Sequence, residues 1–483
     1  MKILVLTNFF PPEFLGGYEI GCQRLVAELN RRGHKVEVLT SGSGEFAEEN
    51  LKVNRGLELA DIYRHPAGLA EQVTAKAFNL ANALLLRQRV RDGAFDLIYV
   101  FNIIGLGGLQ IIDYLNVCGV PWVWHLMDNV PHTLTDGLPS EVLQYFECSA
   151  TRCFKSNGTL VMSRSLRKEL ADQNVEFDSP VHIVPGWIEW RDGCSWPVPS
   201  VRRSSGQKRF VALGSLSTAK GTDLIIETAA ALAAAREDFS IDLFGPGNLS
   251  KYRRKVRELS VESLVSIRGV LAPEEVKDKL AQYDAFLFPT WSREPFGFVA
   301  LEAAMAGLVP IITSGAGVTE YLTEGKHFIP IQRTHASLKK AMLRIMHDPN
   351  VSAIAEACRE KAICDLTLEK VGAQVEAILS DAARAGPRRR ALSDSHVDSI
   401  LNARQALLDR AVPSGRHRSS AAAIAQETVH MAAINQFQSW KNEFRSKGPL
   451  SYKYWLARLV LPLMRIPLVD IMSRIVALES RDR

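Results

Sequence analysis

The spacing of hydrophobic residues along the sequence changes twice within the first forty positions. Residues 2–7 form a continuous apolar run, and apolar residues then recur at helical spacing across residues 19–32. Gly33 is suited to end that helix, and an alternating pattern follows over residues 35–40. This order predicts a strand, a helix and a parallel strand, which together form the βαβ unit of an α/β fold.

Similar strand-like and helix-like segments continue along most of the chain. Further strands are predicted in the first half at residues 97–101, 121–127, 159–162 and 181–184. Residues 192–208 are rich in Pro, Ser, Gly and basic residues, which is typical of a linker. A second series follows, with a helix at about 220–235 and strands at 209–213, 240–244, 264–267, 285–288 and 309–312. We therefore predict two Rossmann-like domains, residues 1–195 and 205–365, with a ligand cleft between them.

Charge is distributed unevenly along the chain. Its 483 residues include 58 Lys and Arg and 53 Asp and Glu, for a net charge of +5. Residues 384–483 alone hold 17 of the basic and 8 of the acidic side chains, so residues 1–383 are slightly acidic. With 47% hydrophobic and 23% charged residues, the composition is that of a globular protein. The basic character therefore belongs to a carboxyl-terminal extension.

The cysteines and the amino terminus favour a cytoplasmic location. The seven cysteines show no C-x-x-C pair and no zinc-ligand spacing, and their odd number argues against a disulfide framework. The first apolar run is too short for a signal peptide or a membrane-spanning helix. We expect it to be a buried strand.

Two carboxylates, Glu294 and Glu302, flank a Pro-Phe-Gly turn that opens an apolar helical stretch. A strand is predicted just before them, so Glu294 would lie at the carboxyl end of a parallel strand, where open sheets bind ligands. A helix amino terminus suits a phosphate, and the residues there are Phe296, Gly297, Phe298 and Val299. Glu302 could accept hydrogen bonds from sugar hydroxyls. The segment favours a sugar-nucleotide site over two glutamates on a solvated helix face.

The sequence EPFGFVALEAAMAGLVPII at 294–312 resembles the E-x7-E motif of retaining glycosyltransferases of the GT-B fold, family 4 type. The resemblance continues to Glu320, which follows a glycine-rich loop, and covers about residues 1–380. It implies two Rossmann-like domains facing each other across a cleft, an acceptor-side domain first and a nucleotide-sugar-binding domain second. Residues 366–383 would return to the first domain, and residues 384–483 would form a basic extension.

The resemblance also assigns roles to individual residues. Glu294 would position the donor sugar and stabilise the developing positive charge, and Glu302 would accept from the ribose hydroxyls. Gly16 and Gly17, after the first strand, match the paired glycines that let the backbone approach the donor diphosphate.

A phosphate clamp is only partly present. In the segment GSLSTAKG, Lys220 matches the family's lysine, whose charge would stabilise the leaving diphosphate. Ser215 stands where the family has an arginine. Arg293 and Arg268 are the candidates to replace the missing charge.

The catalytic loop also departs from the family pattern. Asp128 matches the family's aspartate, whereas Met127 stands where the family has a histidine. His125 would face the same side one pleat earlier and could serve instead, and His132 is a second possibility. The alternative for His125 is a packed core residue between aromatic neighbours.

The implied activity is transfer of a hexose, with retention, from a nucleotide-diphosphate sugar to a glycan, lipid-linked or small-molecule acceptor. Cell-surface polysaccharide or glycolipid synthesis is the expected setting. The chain has no D-x-D motif, so we expect no metal or other cofactor. The alternatives are a sugar-nucleotide epimerase and a catalytically degenerate, donor-binding subunit of a glycan assembly complex.

The carboxyl-terminal extension matches no family known to us. Its most apolar stretch, residues 455–469, contains two Arg and two Pro and so does not predict a spanning helix. The basic, aromatic-rich residues 441–483 could lie peripherally on the anionic inner face of a membrane, bind a partner or form a self-packing helix. No nucleic-acid-binding motif accompanies the charge, so nucleic acid is not an expected partner.

Overall fold

Two parallel sheets organise the chain. The structure, a computed structural model, describes residues 1–44, 51–60, 73, 75–138, 140–146, 148, 152–190, 196, 206–291 and 293–388. Most of the predicted linker, residues 192–208, and nearly all of the basic extension therefore lie outside the described residues. Among the described residues, no helix combines the length and the apolar composition needed to cross a bilayer.

The first sheet has seven parallel strands in the order β3-β2-β1-β4-β5-β7-β9. These strands are β1 (Lys2–Leu6), β2 (Lys35–Ser41), β3 (Lys52–Leu57), β4 (Leu97–Val100), β5 (Trp122–Leu126), β7 (Gly158–Val161) and β9 (Val181–Ile183). A separate parallel pair is formed by β6 (Arg152–Phe154) and β8 (Val175–Phe177). Among the described residues of this domain, the helices with assigned bounds are α1 (Gly17–Arg31), α2 (Leu80–Gly93), α3 (Gly108–Leu115), α4 (Val130–Thr135), α5 (Ser140–Tyr145) and α6 (Arg164–Asp172).

The second sheet has six parallel strands in the order β12-β11-β10-β13-β14-β15. They are β10 (Lys208–Leu213), β11 (Phe239–Phe244), β12 (Val265–Gly269), β13 (Ala285–Phe288), β14 (Val309–Thr313) and β15 (Ile329–Ile331). The helices are α7 (Thr222–Ala233), α8 (Leu249–Glu258), α9 (Val276–Leu280), α10 (Phe298–Met305), α11 (His335–His347) and α12 (Ser352–Asp365). Short 3-10 helices span Pro273–Glu275 and Gly317–Tyr321. These two sheets confirm the predicted α/β fold with two Rossmann-like domains.

Each sheet reverses its strand order once, and the reversal determines where ligands bind. The reversal falls between β1 and β4 in the first sheet and between β10 and β13 in the second. In open parallel sheets, the crevice at the carboxyl ends of the strands beside this reversal is the usual ligand site. The loops that follow β1, β10 and β13 therefore border the expected ligand crevices.

The last described helix packs against the first domain. Helix α13 (Leu368–Ala385) contacts α1. Its Glu376 accepts hydrogen bonds from Arg32 Nε at 2.6 Å and lies 2.8 Å from His34 Nε2. A Cβ on Gly372 would lie 2.6 Å from Cγ of Glu28, so the two helices pack closely there. The domains are thus joined at this end by direct helix packing.

One apolar core continues from the first domain into the second. Phe10, Met127 and Trp187 of the first domain share a buried cluster with Phe296 and Leu301 of the second. Burying large apolar side chains removes their surface from water, which stabilises the contact between the domains.

Candidate active site

Lys220 and Glu294 meet at the reversal point of the second sheet. Lys220 lies in the loop between β10 and α7, and its ammonium is hydrogen-bonded to the Glu294 carboxylate. Glu294 follows β13 and is only 8% exposed. Thr290, fully buried, donates its hydroxyl hydrogen to the same carboxylate at 2.9 Å. A buried carboxylate thus has two donors, one of them charged, where a parallel sheet binds ligands.

Glycine allows the Lys220 loop to approach β13. Gly221 has φ +78°, and a Cβ at this position would lie 2.3 Å from the Pro289 carbonyl oxygen. Arg333 also links the Lys220 loop to the end of β13, because its guanidinium donates to the carbonyl oxygens of Thr218 and Pro289. The two loops are therefore held together, and this places Lys220 beside Glu294.

The E-P-F-G turn presents the amino terminus of α10 to the cleft. Gly297 precedes the helix with φ +104°, and a Cβ there would lie 2.6 Å from the ring of Phe288. Phe298 and Val299 begin the helix. The first N–H groups of a helix lack acceptors within it, and the helix dipole adds positive potential. This end of α10 can therefore bind an anion.

The paired glycines of the first domain face that helix end. Gly17 begins α1, and a Cβ on it would lie 3.7 Å from the ring of Phe298. A Cβ on Gly16 would meet no atom within 4 Å, so the space beside it is open. The N–H of Gly16 donates to the Glu19 carboxylate at 3.0 Å. The amino termini of α1 and α10 therefore meet across the cleft.

Glu302 lies one turn further along α10 and contacts the first domain. Its Oε1 is 3.4 Å from Nη1 of Arg24 on α1. Arg24 Nε also lies 3.4 Å from Oε2 of Glu189. The side chain of Glu302 is 16% exposed, so it remains reachable from the cleft.

Asp128 lies two residues after the end of β5, and its side chain is exposed. Its Oδ1 accepts the backbone N–H of Asn129 at 2.7 Å. Surrounding protein raises the pKa of Asp128 by removing water from the carboxylate, and the negative charge of Glu294 raises it further. The negative charge of Glu294 thus disfavours ionisation of Asp128.

His125 is placed in the core behind the cleft wall. It has no exposed surface, its Nδ1 lies 2.6 Å from the Tyr99 hydroxyl oxygen, and burial lowers its pKa to about 3. The ring centroid of Trp187 lies 6.2 Å from that of His125 and 5.4 Å from that of Phe298. Trp187 therefore stands between His125 and the start of α10. This placement favours the alternative of a packed core residue over direct contact with a ligand.

The proposed replacements for the missing clamp arginine are both paired. Arg268 Nε lies 2.7 Å from Oδ1 of Asp242 on β11. Arg293 Nε lies 2.5 Å from Oε1 of Glu169 on α6, and its charge lowers the pKa of Asp128. Of these two arginines, Arg293 is the one that neighbours Glu294 in the sequence. Among the described residues, no group of three His, Cys, Asp or Glu side chains could hold a metal ion.

Sequence reasoning missed Arg24, Thr290 and Arg333. Thr290 had a weak signal, since a hydroxyl side chain at the end of a strand four residues before Glu294 can reach it. No local pattern indicated Arg24 or Arg333, because each contacts a segment far away in the sequence.

Comparison with known proteins agrees with this architecture. Residues 15–189 match the family described as Glycosyltransferase Family 4, and residues 199–363 match the family described as Glycosyl transferases group 1. The chain therefore joins a family 4-type domain to a group 1 glycosyltransferase domain on a GT-B fold.

Similar proteins share most of this length. An uncharacterized glycosyltransferase, MJ1607, of Methanocaldococcus jannaschii is 24% identical over 335 residues, which are 67% of this chain and 83% of the relative. Sucrose-phosphate synthase of Thermosynechococcus elongatus has a similar structure, with a TM-score of 0.63 and 16% identity, over 80% of this chain and 100% of its own. Alr3699/HepE of Anabaena, solved in complex with UDP-glucose, has a TM-score of 0.58 and 16% identity, over 79% of this chain and 100% of its own.

Proposed function

We propose that this protein transfers a hexose from a nucleoside diphosphate sugar to an acceptor hydroxyl, with retention of the anomeric configuration. The observation that carries the proposal is the Lys220–Glu294 pair at the reversal point of the second sheet. A cation and a carboxylate in that position suit the two halves of the donor, the diphosphate and the sugar. The UDP-glucose complex of the Anabaena protein favours a uridine nucleotide as donor.

Lys220 and the helix ends would bind the leaving diphosphate. The amino termini of α1 and α10 converge on the space beside Gly16, Gly17 and Phe298. Backbone N–H groups that are already oriented stabilise developing negative charge without reorganisation. Donor binding would draw the Lys220 ammonium from Glu294 toward the diphosphate, and Glu294 would then be available to the sugar.

The bond changes follow from this arrangement. The bond between the anomeric carbon and the diphosphate oxygen breaks, and the acceptor oxygen bonds to the anomeric carbon on the same face. The acceptor proton passes to the departing diphosphate oxygen. Glu294, held by Thr290, would orient the sugar hydroxyls and stabilise the positively charged centre, while Asp128 faces it from the other domain. No cofactor takes part in this scheme.

The acceptor would approach from the first domain. A glycan or lipid-linked acceptor in polysaccharide or glycolipid synthesis is the class that we propose, with the protein in the cytoplasm or at the inner face of a membrane. Residues 441–483, outside the described residues, would supply a peripheral membrane contact.

Met127 favours a second candidate, a donor-binding subunit without turnover. The family pattern places a histidine at this position, whereas Met127 is 6% exposed and packs against Gly21. A cleft whose first-domain loop lacks an imidazole would bind the donor and still fail to support transfer.

A binding panel tests the proposal. UDP, GDP, ADP and their hexose conjugates are compared by thermal shift, because a nucleotide at about a hundred times its dissociation constant stabilises the native state by about 2.7 kcal/mol. We expect a uridine nucleotide to stabilise the wild type. Lys220→Met should lose most of the shift, whereas Lys340→Met, at an exposed lysine of α11, should keep it. Equal shifts in both variants would contradict the site. Donor binding with no sugar release to any acceptor or to water would favour the subunit.

A further inference from the structure

The carboxylate of Glu320 caps a helix of the other domain. Its two oxygens accept hydrogen bonds from the backbone N–H groups of Arg164 and Ser165, each at 2.7 Å. These are the first two residues of α6, whose N–H groups have no acceptor within the helix. A negative charge is favourable at this end of a helix dipole. Glu320 is 17% exposed in its side chain, so solvent screens the interaction only partly.

Two more hydrogen bonds join the domains at the same corner. Ser163, which precedes α6, accepts the N–H of Leu166 at 3.1 Å and donates its hydroxyl hydrogen to the Pro295 carbonyl at 2.8 Å. The Tyr321 hydroxyl donates to the Met162 carbonyl at 2.8 Å. The start of α6 is therefore bound both to the 3-10 helix that carries Glu320 and to the E-P-F-G turn.

That 3-10 helix also supports the backbone of Glu294. The N–H of Gly317 donates to the Glu294 carbonyl at 2.9 Å, and the N–H of Val318 donates to the Phe296 carbonyl at 2.9 Å. A Cβ on Gly317 would lie 1.9 Å from the Pro295 carbonyl oxygen, so only glycine fits. One short segment, Gly317–Tyr321, thus contacts α6 on one side and the backbone of the motif on the other.

We propose that Glu320 is a positioning residue for the transfer reaction. By capping α6, it fixes the backbone of Glu294 relative to the wall of the first domain that carries Asp128. Arg293, which neighbours Glu294, makes a further contact with α6 through Glu169. Glu320 acts through these backbone contacts and does not bind the donor. The inference rests on the proposed function, since it assigns Glu294 to the reacting sugar.

Three variants test it. Glu320→Ala removes the cap, Glu320→Gln keeps one acceptor oxygen without the charge, and Glu324→Ala is the matched control. Glu324 is exposed and accepts from Ser314 at 3.1 Å within its own domain. The measurements are donor affinity by calorimetry, kcat from release of nucleoside diphosphate, and hydrogen exchange of the amides at residues 164–166.

Glu320→Ala should lower kcat by about tenfold or more while the donor dissociation constant changes by less than about twofold. Lys220 and Glu302, whose side chains pair with Glu294 and Arg24, make none of the contacts that Glu320→Ala removes. Exchange at residues 164–166 should accelerate, and Glu320→Gln should fall between Glu320→Ala and the wild type. Glu324→Ala should match the wild type.

Two results would overturn the inference. One is an unchanged kcat in Glu320→Ala. The other is a parallel loss of kcat, donor affinity and melting temperature, which would indicate a merely structural role. Failure of the wild type to bind any nucleotide sugar would instead overturn the proposed function.

Discussion

Arg24 of α1 and Glu302 of α10 face each other across the cleft, with Nη1 of the arginine 3.4 Å from Oε1 of the glutamate. The same guanidinium lies 3.4 Å from Glu189. Arg24 is thus shared by one carboxylate from each domain. Since Glu302 is the carboxylate proposed to accept the ribose hydroxyls, the first domain contributes charge to the nucleotide side of the cleft.

Glu302→Gln should weaken nucleotide binding. A neutral amide is a poorer acceptor for ribose hydroxyls than a carboxylate, and we expect the dissociation constant of the bound nucleotide to rise about tenfold, or about 1.4 kcal/mol. Isothermal titration calorimetry measures this directly. Glu189→Gln is the control, because it alters the other partner of Arg24 away from α10. Equal affinities in Glu302→Gln and the wild type would remove Glu302 from the site.

Thr290→Val should reduce turnover by about tenfold with little change in nucleotide affinity, because it leaves Glu294 without one of its two donors. Thr290→Ser retains a hydroxyl and should restore most of the rate. Initial rates at saturating donor provide the measurement. If Val and Ser variants turn over alike, the hydroxyl does not orient Glu294.

His125→Ala should lower the free energy of unfolding by about 1–3 kcal/mol, because it removes a fully buried ring and leaves the Tyr99 hydroxyl without this partner. Denaturant titration gives the value. A large loss of turnover with unchanged stability would instead support the catalytic alternative.

The same histidine makes stability depend on pH. Burial lowers the pKa of His125 from 6.5 to about 3, so between these values the unfolded state binds the extra proton. Stability is therefore fully present above pH 6.5 and is lost as pH falls toward 3. In that window the wild type should lose up to about 1.4 kcal/mol per pH unit more than His125→Phe. Parallel pH profiles would contradict the buried neutral imidazole.

Chelation should leave transfer intact. The donor diphosphate is proposed to bind Lys220 and two helix ends, so dialysis against EDTA is expected to change the rate by less than about twofold. Complete loss of activity that manganese restores would overturn this prediction.

Truncation after Arg388 should preserve folding and donor binding but alter membrane association. Gly386 and Arg388 are tied to the first domain, since Asn157 Nδ2 donates to the Gly386 carbonyl at 2.7 Å and Arg388 donates to the Ser156 carbonyl at 3.2 Å. A shorter chain ending at Ala383 lacks these bonds and should melt at a lower temperature. Sedimentation with anionic vesicles compares the truncated and full chains. Equal vesicle binding would exclude a membrane role for residues 389–483.

Much of the fold follows from local patterns. The apolar spacing that predicted a helix over residues 19–32 corresponds to α1, Gly17–Arg31, and the strand predicted at residues 285–288 coincides with β13. Strand β3, Lys52–Leu57, was missed because its side chains alternate poorly between apolar and polar. Local periodicity works where an element buries one clear face, and it fails where the burial is mixed.

The position of the E-P-F-G motif in the fold also follows from local sequence. A strand, a Pro-Phe-Gly turn and a helix are contiguous in sequence, and this alone put Glu294 at a strand end and Glu302 on the following helix. The contact between Lys220 and Glu294 joins distant residues, but the reversal rule for parallel sheets brings their loops together once the strands are known.

The sequence by itself thus predicted the two-domain α/β fold, most strands of the two sheets and the strand-turn-helix segment that carries Glu294 and Glu302, because hydrophobic periodicity and turn chemistry act over a few residues. Only the tertiary structure decided that His125 lies behind Trp187, that Arg24 faces Glu302 and that Glu320 caps α6. Those contacts join segments 62, 278 and 155 residues apart. The first depends on packing within the first domain and the other two on how the domains pack, and no short-range pattern encodes either.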